Sequence, residues 1–370
     1  MAAKQLLILG IRGIPAAHGG FETFAERLSL YLVQHGWQVT VYCQEQGKGP
    51  VTESEWCGIK RVHIPVSRQG AVGTILFDWQ AARHAAGQPG ICLTLGYNTA
   101  LFNLWQRLSG QINLFNMDGL EWQRDKWSGP ARAWLWLNER AGCLLGQHLI
   151  ADHPRIKDHL ATRVSEHKIA MIPYGADELA QANPLALQPL DLEPEAFSVI
   201  IARPEPENSI LEMVRAFSAR ERQHKLVVLG RFEPDLNSFH RRVMAAASSE
   251  VLFPGAIYEA SVVQALRFHC RFYLHGHRVG GTNPSLVEAM GAGSPVIAHD
   301  NPFNRWVVGE GAASFTDEAS CRALFDSLLE DEQARVRMKT ASRQRFQKHF
   351  TWPKVLAEYE ALLTHWLAAP

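Results

Sequence analysis

Short apolar runs alternate with helix-like segments along most of this chain, and the alternation starts afresh after a proline-rich interruption. The first series lies at 5–9, 37–43, 91–95, 112–116, 148–151 and 168–172, and the second at 197–202, 225–229, 251–253, 271–274 and 295–298. Runs this short, separated by helical spacing, are those of parallel strands covered by helices, with ligands bound at the strands' carboxyl ends. From Gln181 to Glu195, Asn183-Pro184, Pro189 and Glu193-Pro194 break any regular element, which predicts a linker. The expected fold is α/β, with two Rossmann-like doubly wound domains at 1–180 and 196–350, the linker at 181–195 and a closing amphipathic helix at 351–370. No fixed-period repeat is present, which excludes a solenoid.

Composition narrows the class. At 370 residues the chain can bury two cores, and 46% hydrophobic with 20% charged residues is a globular balance. Lys+Arg and Asp+Glu both number 37, so charge offers no argument for a nucleic-acid partner. No apolar run reaches the roughly 20 residues of a membrane span, and a strand begins too early to leave room for a signal peptide. Six cysteines without CxxC spacing predict reduced thiols and a cytoplasmic setting, with neither disulfide nor zinc.

Several loops at predicted strand ends carry chemistry. Gly280-Gly281-Thr282-Asn283 precede a helix begun by Pro284 and continued through Ser285 and Glu288, a place where backbone N–H groups can hold a phosphate. Glu288 lies one turn in, placed to accept from a sugar hydroxyl or to cap locally. Near the start, Gly10 to Gly20 is glycine-rich without being GxGxxG or a Walker loop; it presents Arg12 and His18 and lets a phosphate approach at Gly19-Gly20. Tyr97 and Asn98 follow one strand. Asp118, Glu121 and Trp122 follow another, with Asp118 a cleft carboxylate or a helix cap. Trp122, Trp127, Trp134 and Trp136 are interleaved with Arg124, Lys126 and Arg132, which suits a membrane interface, a sugar-binding wall or plain packing. Arg203 and Arg231 end strands, where a guanidinium can grip a diphosphate or join a surface ion pair. His275 and His277 straddle Gly276 with no third ligand, so no metal site is expected.

Taken together these segments resemble the retaining GT-B glycosyltransferases of family four. The resemblance rests on Ile172-Pro173-Tyr174-Gly175-Ala176-Asp177, on Arg203, on Ser285 to Val296 and on the closing Phe350-Thr351-Trp352. Arg12 to Pro15 with His18 to Thr23, Asn116 to Trp122, and Val279 to Ser285 further resemble a bacterial rhamnosyltransferase-like subgroup with a DUF1972-type first domain. The resemblance implies two domains facing a central cleft, the acceptor on the first, a nucleotide sugar on the second, and the last helix crossing back to the first. It implies a metal-independent reaction without cofactor, at the inner face of the plasma membrane, with a glycan or polyprenyl-diphosphate-linked acceptor. Arg203 and Asp118 would serve the chemistry. Gly19, Gly20, Asn208, Gly280, Gly281, Thr282, Asn283, Ser285 and Glu288 would face the donor, Glu288 holding its ribose. Arg12, His18, Tyr97, Asn98, Glu121 and Trp122 would face the acceptor. Two positions depart from the family pattern: Gly280 replaces its first glutamate and Asn208 its lysine. A sugar-nucleotide epimerase and a non-catalytic assembly partner are the alternative readings.

Overall fold

The computed structural model describes residues 4–17, 19–124 and 126–368. The chain forms two compact units, one running to Tyr174 and resuming at Trp352, the other spanning Gly175–Thr351. In the first unit the order is β1 (Gln5–Leu9), α1 (Gly20–Gln34), β2 (Gln38–Gln46), β3 (Thr52–Trp56), β4 (Ile59–Val66), α2 (Gly70–Ala85) and β5 (Ile91–Leu95). A 3-10 turn at Ala100–Asn103 leads into α3 (Leu104–Leu108), then β6 (Asn113–Asn116), α4 (Gly129–Leu145), β7 (His148–Ala151), α5 (Pro154–Ala161) and β8 (Ile169–Met171).

These strands make one sheet in the order β3-β4-β2-β1-β5-β6-β7-β8, parallel except for the β3 edge. β1 is flanked by β2 on one side and β5 on the other, so the winding reverses there and its carboxyl end opens a crevice. Gly10 turns the chain out of β1 at φ 83°, and a Cβ there would lie 2.2 Å from the Leu95 carbonyl oxygen, so only glycine fits. The β3–β4 hairpin is absent from the sequence expectation. Glu53 and Glu55 on the edge strand β3, and Lys60 and Arg61 on β4 beside it, dilute the apolar signal.

The second unit contains β9 (Phe197–Ile201), α6 (Ile210–Ser218), β10 (Lys225–Leu229), α7 (Ser238–Ala245), β11 (Val251–Gly255), α8 (Ala260–His269) and β12 (Tyr273–His275). It continues with α9 (Pro284–Gly291), β13 (Val296–His299), α10 (Pro302–Val308), β14 (Ala313–Phe315), α11 (Glu318–Leu328) and α12 (Glu332–His349). Its sheet is wholly parallel, ordered β11-β10-β9-β12-β13-β14, with the reversal between β9 and β12. The stretch 181–195 is not a linker. Pro184–Leu190 winds as a 3-10 helix, and Leu187 and Leu192 are buried in this unit's core. Prolines stop an α-helix but fit this tighter turn, and the leucines gain by burial. The second unit therefore begins at Gly175, ahead of the expected 196.

The last helix, α13 (Trp352–Ala368), belongs to the first unit. Trp352, Val355, Tyr359 and Leu363 form its buried stripe, and Phe24 of α1 meets Tyr359 at 4.6 Å between ring centres. Asn116, at the end of β6, donates to the Tyr359 hydroxyl at 2.8 Å. All six cysteines are free, five of them buried.

Candidate active site

In the second unit the strand ends on either side of the winding reversal are stitched together. Arg203 follows β9; it is exposed, and its guanidinium has no hydrogen bond or ion pair with any described residue. Its backbone is fixed, because the Asn208 amide donates to the Arg203 carbonyl at 2.8 Å and the Glu205 N–H does so at 2.7 Å. Asn208 is buried, and the bond from its amide holds the Arg203 loop from behind. Arg231 differs: Glu233 holds it at 2.9 Å on the open surface.

The loop after β12 leans on the Arg203 loop. A Cβ at Gly276 would lie 2.2 Å from the Asn208 carbonyl oxygen, so the two backbones touch. The Arg278 N–H donates to the Glu207 carbonyl at 3.0 Å and its Nε to Ser209 Oγ at 2.9 Å. Gly280 turns at φ 133° with open space where a side chain would be. Two expected donor contacts are used internally. Asn283 caps α9 by accepting from the Ser285 N–H at 3.0 Å. Ser285 Oγ donates to the Ile201 carbonyl at 3.1 Å and lies 2.6 Å from the Tyr273 hydroxyl, tying α9 to β9 and β12. Thr282 is buried beside them, leaving Gly280 and Gly281 as the open backbone.

Glu288 is one-third exposed and ion-paired with Arg267 of α8, a residue the sequence did not single out. Arg267 Nε is buried without a hydrogen-bond partner. His275 is buried and its ring stacks on His277 at 4.3 Å. Burial, then the nearby His277 and His299, hold it well below the usual histidine range, so it stays neutral. Among the described residues, no three His, Cys, Asp or Glu side chains group so as to hold a metal ion.

In the first unit, Asp118 sits just past β6 in the left-handed region, φ 53°, its N–H donating to Asn116 Oδ1 at 3.1 Å. Such backbone costs a non-glycine residue roughly 1–2 kcal/mol. It caps no helix: the residue preceding the next helical turn is Leu120. Burial first, then Glu121 and Asp152, push its carboxyl up to about 7, against the Gly119 N–H and Arg124. Asp152, at the end of neighbouring β7, escaped the sequence reading because a single aspartate after a short strand carries no pattern. Asp78 is likewise raised to about 7 by burial, with Thr99 Oγ1 donating to it at 2.8 Å.

The other acceptor-side candidates divide. Arg12 and Asn98 are exposed. Tyr97 is buried: its hydroxyl donates to the Gly119 carbonyl at 3.1 Å and accepts from the Glu121 N–H at 2.8 Å, which shapes the Asp118 loop from beneath. Glu121 is bound to Arg124 at 2.7 Å, and Trp122 Nε1 donates to Glu139 at 2.5 Å. Burial opposes ionisation of Glu139, yet His159, Arg163 and Trp122 bring it down to about 2. Trp127 and Trp134 also donate inward, to Glu121 and to the Asn98 carbonyl. Gly19 precedes α1 with open space around it, and Glu22 and Glu26 fasten the incoming loop through the Ala17 and Ala16 N–H groups. His18 lies outside the described residues.

With both strand-end sites in view, sequence comparison adds the class. Residues 188–345 match the family described as glycosyl transferases group 1, and residues 3–177 match a domain of unknown function, DUF1972. The chain is a glycosyltransferase with the GT-B fold. Sucrose-phosphate synthase from Thermosynechococcus elongatus is similar at 19% identity and a TM-score of 0.81, over 99% of this chain and 100% of that one. HepE of Anabaena, solved with UDP and glucose, is similar at 13% identity and a TM-score of 0.76, over 98% and 99%. The UDP-forming trehalose-phosphate synthase of Burkholderia xenovorans, solved with glucose-6-phosphate, reaches 12% and 0.72, over 97% and 100%. No curated protein sequence matches the chain.

Proposed function

We propose that this glycosyltransferase moves a sugar from a nucleotide diphosphate donor to a saccharide or lipid-linked saccharide acceptor, with retention and without a metal, in surface polysaccharide synthesis. The second unit takes the donor. As the glycosidic bond breaks, the departing diphosphate gains negative charge, which a free guanidinium and backbone N–H groups stabilise. Arg203 is that guanidinium, and Gly280 and Gly281 expose the amides. Glu288, steadied by Arg267, accepts from ribose hydroxyls. The first unit takes the acceptor, and Asp118 holds its hydroxyl.

The observation that carries the reading is Arg203: exposed, without a hydrogen bond or ion pair among the described residues, and on a loop that Asn208 fixes and that touches the loop after β12. Nucleotide sugars are the donors in this reading, in line with the UDP in the HepE structure. L-Rhamnose from dTDP-rhamnose is the proposed sugar, on the subgroup resemblance and because Gly280, at the position of the family's first glutamate, offers no carboxylate to the donor's hydroxyls. A thermal-shift panel of dTDP-rhamnose, UDP-sugars and GDP-sugars tests this, because a ligand of the folded state raises the melting temperature. Stabilisation by dTDP-rhamnose alone supports the sugar assignment. Stabilisation by a different nucleotide sugar replaces it, and a flat panel removes the donor reading.

A further inference from the structure

The outer surface of the first unit's α2, α3 and α4 departs from the rest of the molecule. The three helices form one layer. Gln106 of α3 donates to the Ala82 carbonyl of α2 at 2.7 Å, and Asn138 of α4 accepts from the Leu101 N–H, in the turn before α3, at 3.0 Å. Of the fifteen large apolar side chains exposed among the described residues, nine lie on these helices. Leu76 and Trp79 project from α2, Leu104 and Leu108 from α3, and Leu137 and Leu144 from α4, with Leu108 72% and Leu144 76% exposed.

Charge on this layer has one sign. Its arginines are Arg83, Arg107, Arg132 and Arg140, while its only carboxylates are inward: Asp78 bonded to Thr99, and Glu139 held by Arg163 and His159. The whole chain, by contrast, is neutral. Arg140 lies 3.4 Å from the centre of the Trp136 ring, and Arg83 5.9 Å from that of Trp79. At the layer's end a hollow of about 410 Å³ is lined by Arg140, Arg163, Lys168 and Leu144, and one Arg140 nitrogen is buried without a hydrogen-bond partner.

We infer that this three-helix layer lies on an anionic phospholipid bilayer, its leucines and tryptophans entering the interface and its arginines meeting lipid phosphates. With the carboxylates of these helices turned inward, their arginines face outward without an acidic neighbour on the same helices, which is complementary to an anionic surface. Amphipathic surfaces with tryptophan, leucine and arginine together suit the headgroup boundary. The hollow beside Leu144 provides a seat for one headgroup phosphate. No helix among the described residues is long and apolar enough to cross a membrane, so this contact is peripheral. The inference builds on the proposed lipid-linked acceptor by saying where the bilayer is met, yet it can be measured with no substrate present.

The test is co-sedimentation of the full chain with vesicles of phosphatidylcholine, with or without phosphatidylglycerol. The expected result is binding at least about tenfold stronger with phosphatidylglycerol, weakened by added salt. The triple change Arg83→Gln, Arg107→Gln, Arg140→Gln is expected to weaken it roughly a hundredfold, at about fivefold per arginine. Trp79→Ser with Leu108→Ser and Leu144→Ser is expected to abolish it, while Leu236→Ser with Met244→Ser, exposed on the second unit, changes nothing. All these side chains are exposed or at the surface, and unchanged circular dichroism and melting temperature confirm that the variants fold. No binding, equal binding to both vesicle types, or full binding by both triple variants overturns the inference. So does a dimer without lipid that the serine triple variant dissolves, because a second copy would then cover the layer. Donor binding by calorimetry reports separately on the transferase reading.

Discussion

The carboxyl ends of the two sheets use opposite electrostatics. In the second unit the group set at the strand ends is a cation, Arg203, exposed and unpaired among the described residues while its backbone is pinned by Asn208. In the first unit the group at the strand ends is an acid, Asp118, desolvated, crowded by Glu121 and Asp152, and held in left-handed backbone. A free cation is ready for an anion that arrives fully charged, as a diphosphate does. A carboxyl poised near neutrality is ready for a hydroxyl, which needs a partner able to hold or take a proton. Under the proposed function, that contrast is what a donor on the second unit and an acceptor on the first would need.

The largest expected effect is at the cation. Arg203→Ala should lower kcat/KM more than tenfold, since a hydrogen bond to a charged oxygen contributes roughly 1.5–3 kcal/mol. Folding should be unchanged because the exposed guanidinium has no partner among the described residues to lose. Near-normal steady-state turnover in that variant would remove Arg203 from the mechanism and with it one side of the comparison.

The acid side is sharpened by pH. If the ionised form of Asp118 serves the acceptor, activity rises as pH passes about 7, and Asp118→Asn abolishes that limb in a pH–rate profile. Stability runs the other way. The unfolded chain ionises this carboxyl from about 3.8, while the folded chain keeps its proton up to about 7, so stability falls between those values and is level above them. Asp118→Asn should therefore melt higher than the parent near pH 8 and alike near pH 4, and asparagine tolerates the left-handed backbone. Equal melting temperatures at both would show that Asp118 is not desolvated. Glu139 gives the opposite dependence: its stabilisation is present above about 4.5 and lost as pH falls towards about 2.

Most strands were legible because their apolar runs are short and bounded; Gln5–Leu9, Ile91–Leu95, His148–Ala151 and Lys225–Leu229 have the expected ends. Proline misled at 181–195, where Leu187 and Leu192 carry the packing. Arg203 and the glycine turn lie past β9 and β12, as expected, because short bounded apolar runs mark where those strands stop. Asn283, Ser285, Tyr97, Glu121 and Trp122 each bond within the protein, which a sequence does not show because it displays a polar group but not its partner. Asp152 and Arg267 went unnoticed for the same reason. Their importance comes from neighbours distant in the chain, Asp118 and Glu288.

The smallest predicted effect tests whether the cation's fixed backbone matters as much as its charge. Asn208→Ala removes the amide that holds the Arg203 carbonyl, a neutral hydrogen bond worth about 1 kcal/mol. If pinning positions the guanidinium, kcat/KM should fall about fivefold, a smaller loss than in Arg203→Ala. Combining the two changes should then cost little more than Arg203→Ala alone, since residues acting through one another are not additive. Fully multiplied losses in the double variant would mean that Asn208 contacts the donor directly. The second unit's site would then depend on two independent groups, and the contrast with the crowded acid of the first unit would narrow.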